Sequence, residues 1–158
     1  MSKSSRRKFI VGTAVAGTGA CICGLSSCAT FTKKGSTKSL DKGAYVIENN
    51  VMKINISKVP ILGKVGGAIK ASDTRLPREI IIARTGDAEY SVVSLSCPHR
   101  GVEVEYRHDE KQFRCASLGR STFGVDGVYK KGLAKKSLSR FETAIDSSDK
   151  DSLLIRFG

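Results

Sequence analysis

Short runs of alternating apolar and polar residues occupy most of the chain from residue 43 onward. The segment AYVIENNVMKINIS has β-branched residues on both sides of ENN, and REIIIARTGDAEYSVVSLSC contains two strongly apolar runs joined at TGDAE. Apolar runs of this length on either side of a short polar turn are typical of β-hairpins. The sequence therefore predicts two hairpins, and the second one ends at Cys97.

A third predicted hairpin follows directly. In VEVEYRHDEKQFRC, Val102, Val104 and Tyr106 alternate with polar residues, and after a charged turn the chain returns through Phe113 to Cys115. SLSRFETAID and SLLIRFG predict further strands, and the Gly-rich stretch ILGKVGGAIKASDTRLP predicts a loop or a weak strand. Because no window has a helical period, we expect an all-β domain, a small antiparallel sandwich or barrel with functional loops at one end.

Residues 1–28 have a different character. In SSRRKFIVGTAVAGTGACICGLSSC, Arg6 and Arg7 are followed by Phe9 and a weakly apolar run, which is typical of a twin-arginine export signal. LSSC resembles a bacterial lipobox, in which Cys28 receives lipid and becomes the first residue of the mature protein. An uncleaved signal anchor is the alternative. Either predicts a bacterial protein that is exported, associated with a membrane and facing the periplasm or the cell exterior.

The length of the chain limits the number of domains, and its charge limits the classes of partner. The 158 residues suffice for one modest core, which we place at 43–158 behind a Ser/Thr/Lys-rich flexible tether at 29–42. After Ser27 the chain has 23 basic and 15 acidic residues, a formal net charge of +8. A basic surface suits anionic lipid, an acidic protein or nucleic acid. The low aromatic content and the lack of a helix-turn-helix pattern exclude nucleic acid as the preferred partner.

The five cysteines divide into two groups. Cys21 and Cys23 lie in the predicted signal and Cys28 is the predicted lipid acceptor, so the domain itself contains two thiols, Cys97 and Cys115. In an exported protein a disulfide is the plainest interpretation of two cysteines. Their neighbours in the sequence favour a second interpretation.

The segments CPHRG at 97–101 and CASLGRSTF at 115–123 each look like half of a metal site. Only Pro98 separates Cys97 from His99, so the thiolate and the imidazole can converge, and the third hairpin brings Cys115 beside them. Thiolate and imidazole are the donors that zinc, iron and iron-sulfur centres use. The candidate ligands are therefore Cys97, His99 and Cys115.

These segments, with GVDG after them, resemble the Rieske iron-sulfur family. Its pattern is CxH, a hairpin-length spacer and CxxH, on a small all-β domain whose two cluster-binding loops a hairpin joins. The resemblance implies a [2Fe-2S] cluster, with Cys97 and Cys115 on one iron and His99 on the other. It further implies electron transfer at a membrane surface, to a redox partner protein or a quinone or cytochrome complex.

The second segment departs from the family pattern. Leu118 stands where CxxH requires the second histidine, so the ligand set is incomplete. Ser117, Ser121 and Asp126 have oxygens that could complete it, although each is by default a turn residue. His108, at the far tip of the third hairpin, is expected to be a solvated turn residue.

Three functions remain open from the sequence. The first is a one-electron carrier or redox-complex subunit, which the resemblance favours over a stand-alone enzyme. The second is a clusterless Rieske-fold lipoprotein that acts as a binding or assembly subunit, with Cys97 and Cys115 joined in a disulfide. The third is a mononuclear zinc or iron site with Cys97, His99, Cys115 and one open position.

Overall fold

The computed structural model describes residues 35–158, and within that range all regular structure is strand or 3-10 helix. The 3-10 helices are Lys42–Ala44 and Ile56–Lys58. The strands are β1 Tyr45–Glu48, β2 Val51–Asn55, β3 Ala68–Ala71, β4 Ile80–Gly86, β5 Glu89–Ser94, β6 Val104–Arg107, β7 Gln112–Cys115, β8 Thr122–Gly124, β9 Tyr129–Lys131, β10 Arg140–Ile145 and β11 Ser152–Arg156. No helix in this part of the chain has the length and apolar character needed to cross a membrane.

The strands form two antiparallel sheets. The larger has seven strands in the order β1-β2-β11-β10-β5-β4-β3, and the smaller has four in the order β6-β7-β8-β9. The smaller sheet consists of consecutive hairpins, whereas the larger is completed by the C-terminal strand β11, which lies between β2 and β10. The predicted all-β antiparallel fold is confirmed.

Two of the predicted hairpins have tight two-residue turns. Asn49 and Asn50, between β1 and β2, have φ values of 48° and 60°. Asparagine tolerates this left-handed region, and two such residues in succession make the tight turn that matches the twist of a hairpin. β4 and β5 join through Asp87 and Ala88, with a register shift next to the turn. All three predicted hairpins are present.

The hairpin of β4 and β5 is buried on both faces. Ile80, Ile82 and Val92 belong to one core, between the strands of the larger sheet and its connections. The alternate residues Ile81 and Val93 belong to a second core, against the smaller sheet. Because both faces are covered, the strand is a continuous apolar run rather than an alternating one, which accounts for the sequence EIIIA.

The second core surrounds the candidate ligands. Phe113 and Phe123, on the neighbouring strands β7 and β8, are fully buried at its centre. Cys97 and Cys115 belong to the same core, and each is 1% exposed. The two thiols are thus fixed by apolar packing of the smaller sheet against β4 and β5.

The segment before β1 lies against the strands. The N–H of Leu40 donates to the carbonyl of Lys70 in β3 (2.7 Å), and the N–H of Gly35 donates to the carboxylate of Glu103 (2.6 Å). The Lys70 ammonium contacts both oxygens of the same carboxylate, at 2.8 and 2.9 Å. These contacts join the described part of the predicted tether to the start of the smaller sheet. The domain limits themselves stay a prediction.

One ion pair predicts how stability depends on pH. The Asp146 carboxylate accepts hydrogen bonds from the Lys53 ammonium (2.8 Å) and from the Ser148 hydroxyl (2.7 Å) and N–H (3.0 Å). These bonds, that of Lys53 first, hold the pKa of Asp146 well below its usual range. A carboxyl with a lowered folded-state pKa stabilises the fold above its unfolded pKa of about 4, and the contribution is lost as the pH falls further. Asp146→Asn should therefore destabilise the protein at pH 7, by an amount that shrinks below pH ~4.

Urea unfolding of wild type and variant at pH 7 and pH 3 measures this difference. Asp87→Asn is the control, because it makes the same change of side chain at an exposed position. A loss of equal size at both pH values would contradict the electrostatic origin of the effect.

Candidate metal centre

The first loop, residues 96–103, contains a tight turn that begins at Cys97. The Cys97 carbonyl accepts hydrogen bonds from the N–H groups of Arg100 (3.3 Å) and Gly101 (2.8 Å). Pro98 has the fixed φ that the second position of such a turn requires, and Gly101, with a φ of 69°, adopts the left-handed conformation that ends it. His99 lies at the turn's third position, and its side chain approaches that of Cys97.

The second loop, residues 116–121, is closed by two backbone hydrogen bonds. The N–H of Cys115 donates to the carbonyl of Ser121 (2.8 Å), and the N–H of Arg120 donates to the carbonyl of Ser117 (3.1 Å). The inner bond makes a four-residue turn with Leu118 in its second position. A side chain at the tip of a turn points away from the loop, and Leu118 is 95% exposed.

The two loops bring the three predicted ligands together. One ligand atom from each of Cys97, His99 and Cys115 lies within 4.8 Å of the other two. The Nδ1 atom of His99 is 2.9 Å from the Cys97 sulfur and 4.0 Å from the Cys115 sulfur. Both thiols are free and buried, and His99 is half-buried. A hydrogen bond from the Ala116 N–H to the Glu103 carbonyl (3.0 Å) holds the loops side by side.

The protonation of Cys97 depends on its surroundings. Burial raises the pKa of the Cys97 thiol to about 11, the backbone N–H of His99 opposes the shift, and the Cys115 thiol adds to it. Without a cation the thiol is therefore protonated near neutral pH. A metal ion at this place would displace the proton and stabilise the thiolate, as metal binding to cysteine generally does.

The hydroxyl groups of Ser117 and Ser121 make contacts outside the second loop. The Ser117 hydroxyl oxygen lies 3.3 Å from the Cys115 sulfur and 3.5 Å from Nε2 of His99. Ser121 is fully buried, and its hydroxyl accepts hydrogen bonds from the N–H groups of Leu133 (3.0 Å) and Ala134 (3.1 Å). No pattern in the sequence separates these serines from Asp126, which does occupy an ordinary turn and accepts from the Val128 N–H.

A third loop, residues 132–139, borders the second one. Gly132 has a φ of 110°, and a Cβ at this position would come within 2.5 Å of the Ser121 backbone, so both conformation and space require glycine. Leu133 is 62% exposed, and its side chain occupies the space in which Gly119 would carry a Cβ. Leu133 therefore contacts the edge of the second loop beside the candidate ligands.

His108 lies away from the candidate ligands, but it is not the solvated turn residue that we expected. It is half-buried, and its Nδ1 atom is 3.3 Å from the Tyr106 hydroxyl. Its ring also lies against Gly66, where an added Cβ would come within 2.8 Å. The sequence could not indicate this packing, because Gly66 belongs to the irregular segment before β3. Arg100 and Arg120, at the two loops, are exposed.

Comparison with solved structures assigns the architecture. The chain resembles the carbazole 1,9a-dioxygenase ferredoxin of Nocardioides aromaticivorans, with 17% identity, a TM-score of 0.50 and coverage of 60% of this chain and 88% of that one. It also resembles a chain in the complex of reduced oxygenase and oxidized ferredoxin in carbazole 1,9a-dioxygenase, with 15% identity, a TM-score of 0.55 and coverage of 69% and 94%. The fold is Rieske-like.

A third solved structure is similar over a smaller part of the chain. The plasma-membrane Rieske protein of the cyanobacterium Synechocystis has 21% identity and a TM-score of 0.48, over 58% of this chain and 87% of that one. No family model matches the chain. No curated protein matches it either. The Rieske-like fold is thus recognised from the backbone, and the residues of the two loops decide what the centre can bind.

The side chains present do not fit a [2Fe-2S] cluster with Rieske ligation. Such a cluster needs two thiolates on one iron and two imidazoles on the other. The described loops offer both thiolates but only His99 as an imidazole, and Leu118 points into solvent. The predicted lipid acceptor Cys28 lies outside the described residues, as does the rest of the predicted signal.

Leu118→His tests whether the missing imidazole is the cause of this misfit. The variant should bind about two irons and two sulfides per chain on anaerobic reconstitution with iron and sulfide, because it restores CxxH in a loop of unchanged length. With two neutral imidazole ligands its reduction potential should lie between about −150 and +300 mV. Wild type under the same conditions should not reach this content. A variant that also fails to bind sulfide would show that the second loop has diverged beyond the replaced side chain.

Proposed function

We propose that this protein is an exported, membrane-attached electron carrier of Rieske-like fold, with its redox metal at Cys97, His99 and Cys115. The observation that supports the proposal is the convergence of two buried thiols and one imidazole from two loops. Apolar packing and backbone hydrogen bonds position all three before any metal binds. Preorganised soft and borderline donors of this kind suit iron, which supplies a one-electron couple when bound.

The surroundings of the centre suit transfer to a protein partner. His99 is half-buried, so one edge of the centre is close to solvent. Leu118 and Leu133 are exposed apolar side chains near it, and Arg100 and Arg120 are exposed cations. An apolar contact with a basic rim fits an acidic partner surface. One structural neighbour is described as a complex of reduced oxygenase and oxidized ferredoxin. In each cycle one electron enters from a reduced donor and one leaves to an oxidised acceptor protein.

Attachment to the membrane is the second part of the proposal. The sequence supports export through the twin-arginine signal and lipidation of Cys28, and the signal anchor is the alternative. Twin-arginine export carries folded proteins, which suits a protein that receives its metal before it crosses the membrane.

Arg6→Lys together with Arg7→Lys should abolish export and leave folded protein in the cytoplasm. Mass spectrometry of the exported wild type should find lipid-modified Cys28 as its first residue. The single variant Lys3→Arg is the control, because it changes a basic residue outside the arginine pair. Normal export of the double variant, or an intact leader with unmodified Cys28, would contradict the corresponding part of the proposal.

Redox activity is tested on wild type that is purified anaerobically from membranes. It should contain iron and show a reversible one-electron change in its absorption spectrum on titration with dithionite and ferricyanide. Cys97→Ser and Cys115→Ser should each lose the iron, whereas the exposed control Ser147→Ala should retain it. Metal-free protein with a Cys97 to Cys115 disulfide would instead support the clusterless binding or assembly subunit.

A further inference from the structure

We propose that the centre formed by Cys97, His99 and Cys115 binds a single metal ion rather than a two-iron cluster, and that Ser117 orients His99 toward this ion. The inference rests on the proposed function only in using the same three ligands. It specifies how many metal ions bind and adds a positioning residue.

The distances between the donor atoms favour one ion. Ligands of a single ion with bonds of about 2.0 to 2.3 Å in tetrahedral geometry lie roughly 3.3 to 3.8 Å apart. The Nδ1 atom of His99 is 2.9 Å from the Cys97 sulfur, somewhat less than this range, and 4.0 Å from the Cys115 sulfur, somewhat more. In a two-iron cluster of this kind, the two thiolates bind one iron and the imidazole binds the other. The imidazole is then farther from both sulfurs than in a single-ion site, by roughly the separation of the two irons.

The contacts of Ser117 explain why Nδ1 faces the sulfurs. The other ring nitrogen of His99, Nε2, lies 3.5 Å from the Ser117 hydroxyl oxygen, and this oxygen is 3.3 Å from the Cys115 sulfur. A proton on Nε2 can be donated to the hydroxyl oxygen, which accepts from the Cys115 thiol in the metal-free protein. Once a metal has displaced the thiol proton, the hydroxyl can donate its own proton to the sulfur. This arrangement leaves the Nδ1 lone pair free for a metal. Histidine ligands generally donate their second N–H to such a partner, which fixes the tautomer and the orientation of the ring.

Three His and Cys donors lie together in the described part of the chain, and a fourth coordination position has no such donor. A cleft of about 360 Å³ borders the second loop and is lined by Cys115, Ser117, Leu118 and Arg120 among others. Leu118 offers no donor atom and points outward. Three protein ligands and a fourth position open to water is the coordination that catalytic zinc sites have.

The number of metal ions is measured on full-length protein stripped of metal and kept reduced. Cobalt(II) is the probe, because thiolate coordination gives it intense near-ultraviolet and visible bands without redox chemistry. Titration without sulfide should saturate at one equivalent. X-ray absorption of protein isolated with its native metal should show sulfur and nitrogen neighbours and no metal–metal distance. Leu118→His reconstituted with iron and sulfide is the reference for a two-iron centre.

The role of Ser117 is measured by cobalt affinity in three variants. Ser117→Ala should bind cobalt about 10- to 100-fold more weakly, the range typical of losing a hydrogen-bond partner of a histidine ligand. Ser117→Thr keeps the hydroxyl and should retain most of the affinity. Ser147→Ala, at an exposed position, should match wild type. The metal-free urea midpoints of the three variants should agree with wild type, which separates ligand orientation from stability.

The outcomes distinguish this inference from the proposed function. Two irons and two sulfides per wild-type chain, with an iron–iron distance, would overturn the single-ion site and leave electron transfer standing. One tightly bound ion without a one-electron couple would support the site and overturn electron transfer. Failure to bind cobalt or iron would overturn both. Equal cobalt affinity in wild type and Ser117→Ala would overturn the role of Ser117.

Discussion

The burial of both faces of one hairpin is the constraint on which the rest of the structure depends. β4 and β5 separate two cores, and alternate side chains along them enter one core or the other. The smaller sheet spans only residues 104–131 and could not bury its apolar face without this hairpin, since a unit of fewer than about 40 residues is too small to fold alone. The first loop begins immediately after β5. The position of the first loop relative to the second is therefore set by how the smaller sheet packs on β4 and β5.

The centre combines strict backbone control with an incomplete set of ligands. Pro98 and Gly101 impose the first turn, and paired backbone bonds close the second. These features preserve the approach of the loops, although Leu118 cannot bind metal. Packing and turn geometry do not depend on the identity of an exposed tip residue, so a substitution there alters the chemistry and leaves the fold intact. This separation of fold from ligand set is why backbone similarity alone does not assign a cofactor.

Local patterns in the sequence predicted the hairpins and the three donors that meet. The turn at Asn49 and Asn50, the apolar runs of β4 and β5, and the spacing of Cys97 and His99 are all signals within a few residues. What the sequence did not indicate depends on distant partners. The contact of His108 with Gly66 is one such case.

The same limit applies to the serines and to the larger sheet. Nothing in CASLGR shows that the Ser117 hydroxyl meets the ring of His99, because that contact exists only after the third hairpin closes. Nor does any local pattern assign β11 to the gap between β2 and β10. Strand order in a sheet follows from packing of the whole domain, which a single sequence records only weakly.

The position of β11 has a consequence for the order in which the chain can fold. Pairing of β11 with β2 joins Ser152 to Asn55, so the larger sheet closes a loop that includes most of the domain. The smaller sheet is made of successive hairpins, and Cys115 pairs with nearby Val104. Closing short loops costs less chain entropy and is faster than closing long ones. The smaller sheet, whose strand β7 ends at Cys115, therefore has the lower kinetic barrier to pairing, and the larger sheet that supports it is completed only when the last strand of the domain arrives.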